Sequence, residues 1–294
     1  MDVLQVDDLT MVHFKLIAGI IYIVLCLFFV PIYLRFVYIF LTRSKYRSLE
    51  CYRIMIQMGI VQCFTMAPGF IFFGVVLLLD YDPLGLANVF IVLYPGGLRT
   101  EAVLGLALAL NRLIIICGLK CSSKLHWILI AFAWMFGLTY VIILLTPHFG
   151  YTVSPGEFMP KYDPSKGYNR SLQYYGSYIY GTPMVLTLLI YIYIFAYLLK
   201  LRLVHNSKVR SQERTIFIYA VTKFMVEFSL AAMFNHYRLP TTRTFHFAMT
   251  VGLIVSTLLL TPALYFVLYK NLRKEFFRFK KDSTLPVRSI SSAL

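Results

Sequence analysis

The amino-acid sequence predicts an all-α membrane protein folded as one bundle of seven helices. Two observations predict it: long apolar runs, and the placement of the basic residues between them. Of 294 residues, 59% are hydrophobic and only 14% are charged, with a mean hydropathy of +0.72. Soluble domains carry about a quarter charged residues and about half apolar ones. This chain therefore has more apolar surface than one aqueous core can hide, and its first implied partner is the lipid bilayer. The net charge of +15 does not point to nucleic acid, because the basic residues form short clusters between apolar runs instead of one basic face.

Seven runs approach or exceed the roughly 20 residues that cross a bilayer as a helix: 16–41, 54–79, 86–117, 125–146, 174–199, 215–234 and 245–269. All are longer than strands and none alternates like a barrel strand, so each is read as a helix. The first follows an acidic head (Asp2, Asp7, Asp8) with no basic leader, which predicts an uncleaved anchor. The second is apolar apart from residues such as Gln62. The third contains Pro95-Gly96-Gly97, which either kinks one long helix or ends a loop, starting the helix near Leu98. The fourth is uninterrupted. The fifth opens on Tyr174, Tyr175 and Tyr178, the composition of an interfacial belt. The sixth carries Lys223 and Glu227, and the seventh contains Pro262.

Lysine and arginine set the orientation. Segments 42–53, 112–124, 200–214 and 270–294 together hold 19, whereas the alternate segments 1–15, 80–89, 147–173 and 236–244 hold 6. The positive-inside rule then predicts a multi-pass plasma-membrane protein with its amino terminus outside and its carboxyl terminus in the cytosol. The expected organisation is a short outer segment (1–15), the bundle (16–269) and a cytosolic tail (270–294). Asn169-Arg170-Ser171 is a glycosylation sequon in a segment expected outside, so Asn169 is a candidate glycan acceptor; a chance match is equally compatible.

Arg112 interrupts "LALALNRLIII" (106–116). Two readings stand: an interfacial anchor whose long stem lies in lipid, or a switch that bonds within the bundle and meets a cytosolic protein when the helices move. In "LLLTPALYFVLYKNLRKEFF" (258–277), Pro262 leaves a carbonyl unbonded, predicting a kink, and Tyr265 lies on the adjacent turn. Leu272, Phe276 and Phe279 then share one face among cations, the pattern of an amphipathic helix lying on the inner leaflet.

Together these features resemble a rhodopsin-type G-protein-coupled receptor with an amphipathic eighth helix. Within that group, "CYRIMIQMGIVQC" (51–63), "LALNR" (108–112) and the end of the seventh helix are similar to the nematode serpentine chemoreceptor-like families, most of all class T and class X. The resemblance implies a chemosensory receptor that binds a small-molecule ligand inside the bundle and signals to a heterotrimeric G protein. It places Asn111 and Arg112 at the Asp-Arg-Tyr positions, and Thr261, Pro262 and Tyr265 at the Asn-Pro-x-x-Tyr positions. It also sets Arg210 and Arg214 in a basic inner loop that faces the partner. The chain departs from the pattern at Gln62, where many relatives have aspartate, and it lacks the cysteine pair joining the third helix to the second outer loop.

The alternative classes are a multi-pass transporter or a ligand-gated channel subunit. Matching halves or broken helices would mark a transporter; an insect-type channel would have the reverse orientation. An enzyme is not expected, since no two of the six histidines lie three or four apart and no His-Glu-x-x-His occurs. No metal set and no cofactor are implied.

Ionisable residues inside a bilayer are costly and normally pair or face a cavity. The ligand-site candidates are therefore Glu101, Lys223, Glu227 and Arg99. Glu101 lies about 16 Å from Arg112 along the helix, at a depth bracketed by Lys223 and Glu227. A Glu101–Lys223 contact is expected, with Glu227 competing for the lysine. It either fastens the third helix to the sixth or serves a ligand. Arg99 points roughly 140° off that face, either snorkelling outward or meeting a different neighbour.

Overall fold

The computed structural model describes residues 2–119, 122–205, 211–236 and 242–277. Its helices are α1 (Asp2–Thr42), α2 (Glu50–Leu79), α3 (Leu86–Ile116), α4 (Ser123–Leu145), α5 (Asn169–His205), α6 (Ser211–His236), α7 (Arg243–Leu268) and a short α8 (Lys270–Phe276). The architecture is a seven-helix bundle with an eighth helix after it. Helix α1 is helical from Asp2, where the sequence suggested a separate outer segment over 1–15. Helix α3 settles the Pro95 question: it is one helix from Leu86, with Pro95 inside it. Asp82 begins it, its carboxylate accepting from the backbone N–H groups of Ala87 (2.9 Å) and Asn88 (3.1 Å).

Five helices, α1, α2, α4, α5 and α7, are long and apolar enough to cross a membrane among the described residues. The two outside that set are α3 and α6, which carry Arg99, Glu101 and Arg112, and Lys223 and Glu227. The charges are turned inward, and the apolar stripes outward. On α4, Ile128, Phe132, Met135, Leu138, Ile142 and Leu145 are all exposed at helical spacing, a face made for lipid.

Helix α3 runs through the middle, packing on α2, α4, α5 and α6. Its crossing with α4 is built on glycine. A Cβ on Gly137 would lie 1.9 Å from Thr100 Oγ1, and one on Gly96 would lie 2.3 Å from Val141 Cγ2. Small residues permit such close backbone approach in membrane bundles. We expect Gly137→Val to prevent α3 and α4 from docking, seen as loss of monodisperse protein on size exclusion, while Gly181→Ala, where the added atom meets nothing, leaves the profile unchanged.

Two π-helical turns interrupt the helices, at Val61–Met66 in α2 and Val255–Leu259 in α7. Each precedes a proline, Pro68 and Pro262. Proline lacks an N–H and its ring crowds the carbonyl four residues back; those carbonyls belong to Phe64 and Leu258, inside the widened turns. The kink foreseen at Pro262 is thus absorbed as a π turn. Beyond it, Tyr265 is fully buried, stacked on Tyr219 (centroids 5.2 Å apart) and edge-on to Phe36 and Phe40.

One end of the bundle is covered by a hairpin, β1 (Tyr151–Thr152) pairing antiparallel with β2 (Lys161–Tyr162). Phe158 at its turn is buried, and its carbonyl accepts from Tyr22 (3.0 Å) on α1 and Thr250 (2.7 Å) on α7. Asn169 closes the base. Its amide nitrogen donates to the Gly150 (2.9 Å) and Asp163 (2.7 Å) carbonyls, and its oxygen accepts from the Gly150 N–H (3.1 Å). The residue is buried at 3% exposure. The nitrogen that a glycan would occupy is thus engaged, and a sugar there would displace bonds that hold the loop. We expect Asn169→Gln to lower thermal stability by about 1–3 kcal/mol, as when buried partners lose their bonds, with no glycosidase-sensitive change in mobility on a gel.

Candidate functional site

Below the hairpin, α3, α5, α6 and α7 surround a cavity of about 90 Å³, and Tyr151 and Tyr162 of the hairpin join its lining. Its acidic side is the group the sequence singled out. Lys223 Nζ lies 2.5 Å from Glu101 Oε1 and also donates to Glu227 Oε1. The lysine and Glu101 side chains are 3% and 7% exposed, whereas Glu227 keeps 24% and lines the cavity. Two carboxylates share one ammonium, and the surplus negative charge meets one more donor, the amide nitrogen of Gln62 on Glu101. Gln62 sits in the π turn of α2, and Ser256 and Thr257, in the π turn of α7, line the cavity. Both irregular turns thus serve this site, a common placement for π turns.

Arg99 lies on the other side of the cavity, 5% exposed. Of the two expectations for it, it meets a different neighbour and does not snorkel outward. Its guanidinium carbon is 3.2 Å from the Tyr140 ring centroid, with Nη1 donating to the Pro95 carbonyl (2.8 Å) and Nη2 to that of Gly176 (3.4 Å). Glycine at 176 makes the room, since a Cβ there would stand 3.0 Å from Nη2. Tyr140 is held in turn by Tyr162 of the hairpin, hydroxyl to hydroxyl at 2.8 Å.

The C-terminal part of α3 carries a second polar group. Arg112 is 1% exposed, so its guanidinium is turned into the bundle and bonded there, as the switch reading requires at rest. Its Nη2 donates to the Asn111 carbonyl oxygen. The Asn111 amide then donates to Glu50 Oε2 (3.2 Å) and faces His126 Nε2 (3.0 Å), and His126 Nδ1 lies 3.1 Å from the same Glu50 oxygen. Where the receptor motif has an acid beside its arginine, this chain has asparagine, and the acid comes from the start of α2. Thr261, Pro262 and Tyr265 lie buried on α7. Arg210 and Phe279 lie outside the described residues, and of Arg214 only the helical backbone is described.

Sequence reasoning missed Gln62, Glu50, His126 and the tyrosines Tyr94, Tyr140 and Tyr180. The readable signal was polarity: Gln62 interrupts an apolar run, and Glu50 is the acid in a basic loop.

A crystal structure of squid rhodopsin is similar to the chain over 90% of its length and 84% of that protein's, with a TM-score of 0.74 and 12% sequence identity. At that identity the likeness shows the fold: a rhodopsin-type seven-helix bundle. No family model matches the chain, and no curated protein sequence matches it.

Proposed function

We propose that this chain is a chemosensory receptor of the G-protein-coupled type, which binds a small molecule in the cavity beside Glu101, Lys223, Glu227 and Arg99. One observation carries the reading: a single central helix, α3, bears charged residues lining a cavity at its middle and the Asn111–Arg112 group near its C-terminal end. A ligand that alters the α3–α6 contact at Lys223 acts on the same rigid element that presents Arg112. The 19-to-6 distribution of basic residues supports placing the hairpin outside and the Arg112 end, with α8, in the cytosol. The class T and class X resemblance supports the chemosensory role and a heterotrimeric G protein as partner.

The experiment is nucleotide exchange on added G proteins in membranes from cells expressing the chain, scanned against small-molecule pools. A ligand-dependent increase that Arg112→Met removes is the expected result. Tags at both termini, stained in intact and permeabilised cells, test the orientation independently. A tail tag reached without permeabilisation overturns both the topology and the receptor reading.

A further inference from the structure

We infer that the cavity takes a small monocarboxylate, held through Arg99; this deepens the reading of the cavity as a ligand site and rests on it. The argument begins with charge. Lys223 has two carboxylates, but no carboxylate among the described residues pairs with Arg99. Its guanidinium is satisfied by a tyrosine face and two backbone carbonyls, and Nε has no partner although it is buried. A cation buried without a counter-ion is costly, and within a membrane bundle it marks the place where an ion or charged ligand belongs. The guanidinium fork fits a carboxylate in particular, through two parallel N–H bonds.

The walls define the rest of the ligand. Leu98, Ala102, Met184, Leu230 and Leu253 line the cavity together with Arg99, Glu101 and Glu227. The body of the molecule is therefore apolar. The volume of about 90 Å³ is small beside the roughly 300–1,000 Å³ of pockets for drug-sized ligands, which selects a skeleton of a few carbons. Glu227 lines the same cavity, and its carboxylate disfavours a second acid group on the ligand. Tyr94 supplies a further donor: its hydroxyl is buried, without a partner, on a residue lining the cavity.

The test is saturable thermal stabilisation of the purified full chain in lipid nanodiscs. The probes are 3-methylbutanoate, its uncharged analogue 3-methylbutanamide, and the dicarboxylate pentanedioate. The acid is expected to stabilise the chain, with the amide and the dicarboxylate at least about tenfold weaker, the effect of losing a charge-assisted bond. Arg99→Gln should weaken the acid about thirtyfold without lowering the unfolding temperature of the ligand-free protein, because it removes an uncompensated charge; a merely structural arginine would give the opposite stability result. The acid–amide comparison needs no variant and stands even if Arg99→Gln fails to fold. Equal effects of acid and amide, unchanged acid binding by Arg99→Gln, or no acid effect into the low millimolar range would each overturn the proposal. Binding is read without a G protein, so a chain that binds the acid yet activates nothing supports this inference while sinking the receptor reading. A chain that signals to other ligands while ignoring the acid does the reverse.

Discussion

Replacing Lys223 with methionine is expected to leave little folded protein. Methionine fills similar space, so the loss is electrostatic: Glu101 and Glu227 would face each other in the bundle with their shared ammonium gone. Breaking a buried pair by removing one partner costs about 3–5 kcal/mol, against a total stability on the order of 5–15 kcal/mol. Unfolding temperature and monodisperse yield in detergent measure it. Neutralising the acids as well, in Glu101→Gln/Glu227→Gln/Lys223→Met, should restore most of the loss, because Gln62 can still bond the amide at 101. The swap Glu101→Lys with Lys223→Glu should also recover more protein than either single change. If Lys223→Met unfolds at the wild-type temperature, the cluster does not fasten α3 to α6.

Arg112→Met is expected to have the contrasting effect, a modest cost in stability and a large one in signalling. Methionine retains much of the stem that packs in the bundle, and the Asn111 amide keeps Glu50 and His126. The lost guanidinium bond to Asn111 is worth roughly 1.5–3 kcal/mol as a charge-assisted contact. Nucleotide exchange driven by any ligand should fall at least about tenfold, the equivalent of 1.4 kcal/mol. Should Arg112→Met unfold as readily as Lys223→Met, Arg112 is a packing residue and the switch reading fails.

What could be read in the sequence follows from cost. An ionisable residue inside an apolar run is conspicuous because lipid penalises it, and helical rise alone gives its depth. Glu101, Lys223 and Glu227 could therefore be brought together on paper, as could Arg99's departure to another face. Gln62 could not, because a neutral amide is cheaper and its direction depends on a π turn. An extra residue in one turn rotates everything after it by about 100°. Glu50, His126 and Asn111 come from three helices near their ends, where polar residues carry no surprise. Arg112 stood between two readings for a related reason: the end of a span reads as a water interface, but here neighbouring helices bury the side chain. Asn169 was legible as a motif, and only its loop showed that the amide was already engaged.

The hairpin finally bears on time rather than affinity. Its turn is bonded through Phe158 to α1 and α7, and its two tyrosines form part of the cavity wall. If a molecule enters past the hairpin and these bonds must open to admit it, encounter is set by the frequency of opening rather than by diffusion. Association then falls below the roughly 10⁵–10⁷ M⁻¹s⁻¹ of ungated binding and departure slows with it. On the receptor reading proposed above, slow exchange of this kind would average over brief fluctuations of a stimulus and report sustained exposure.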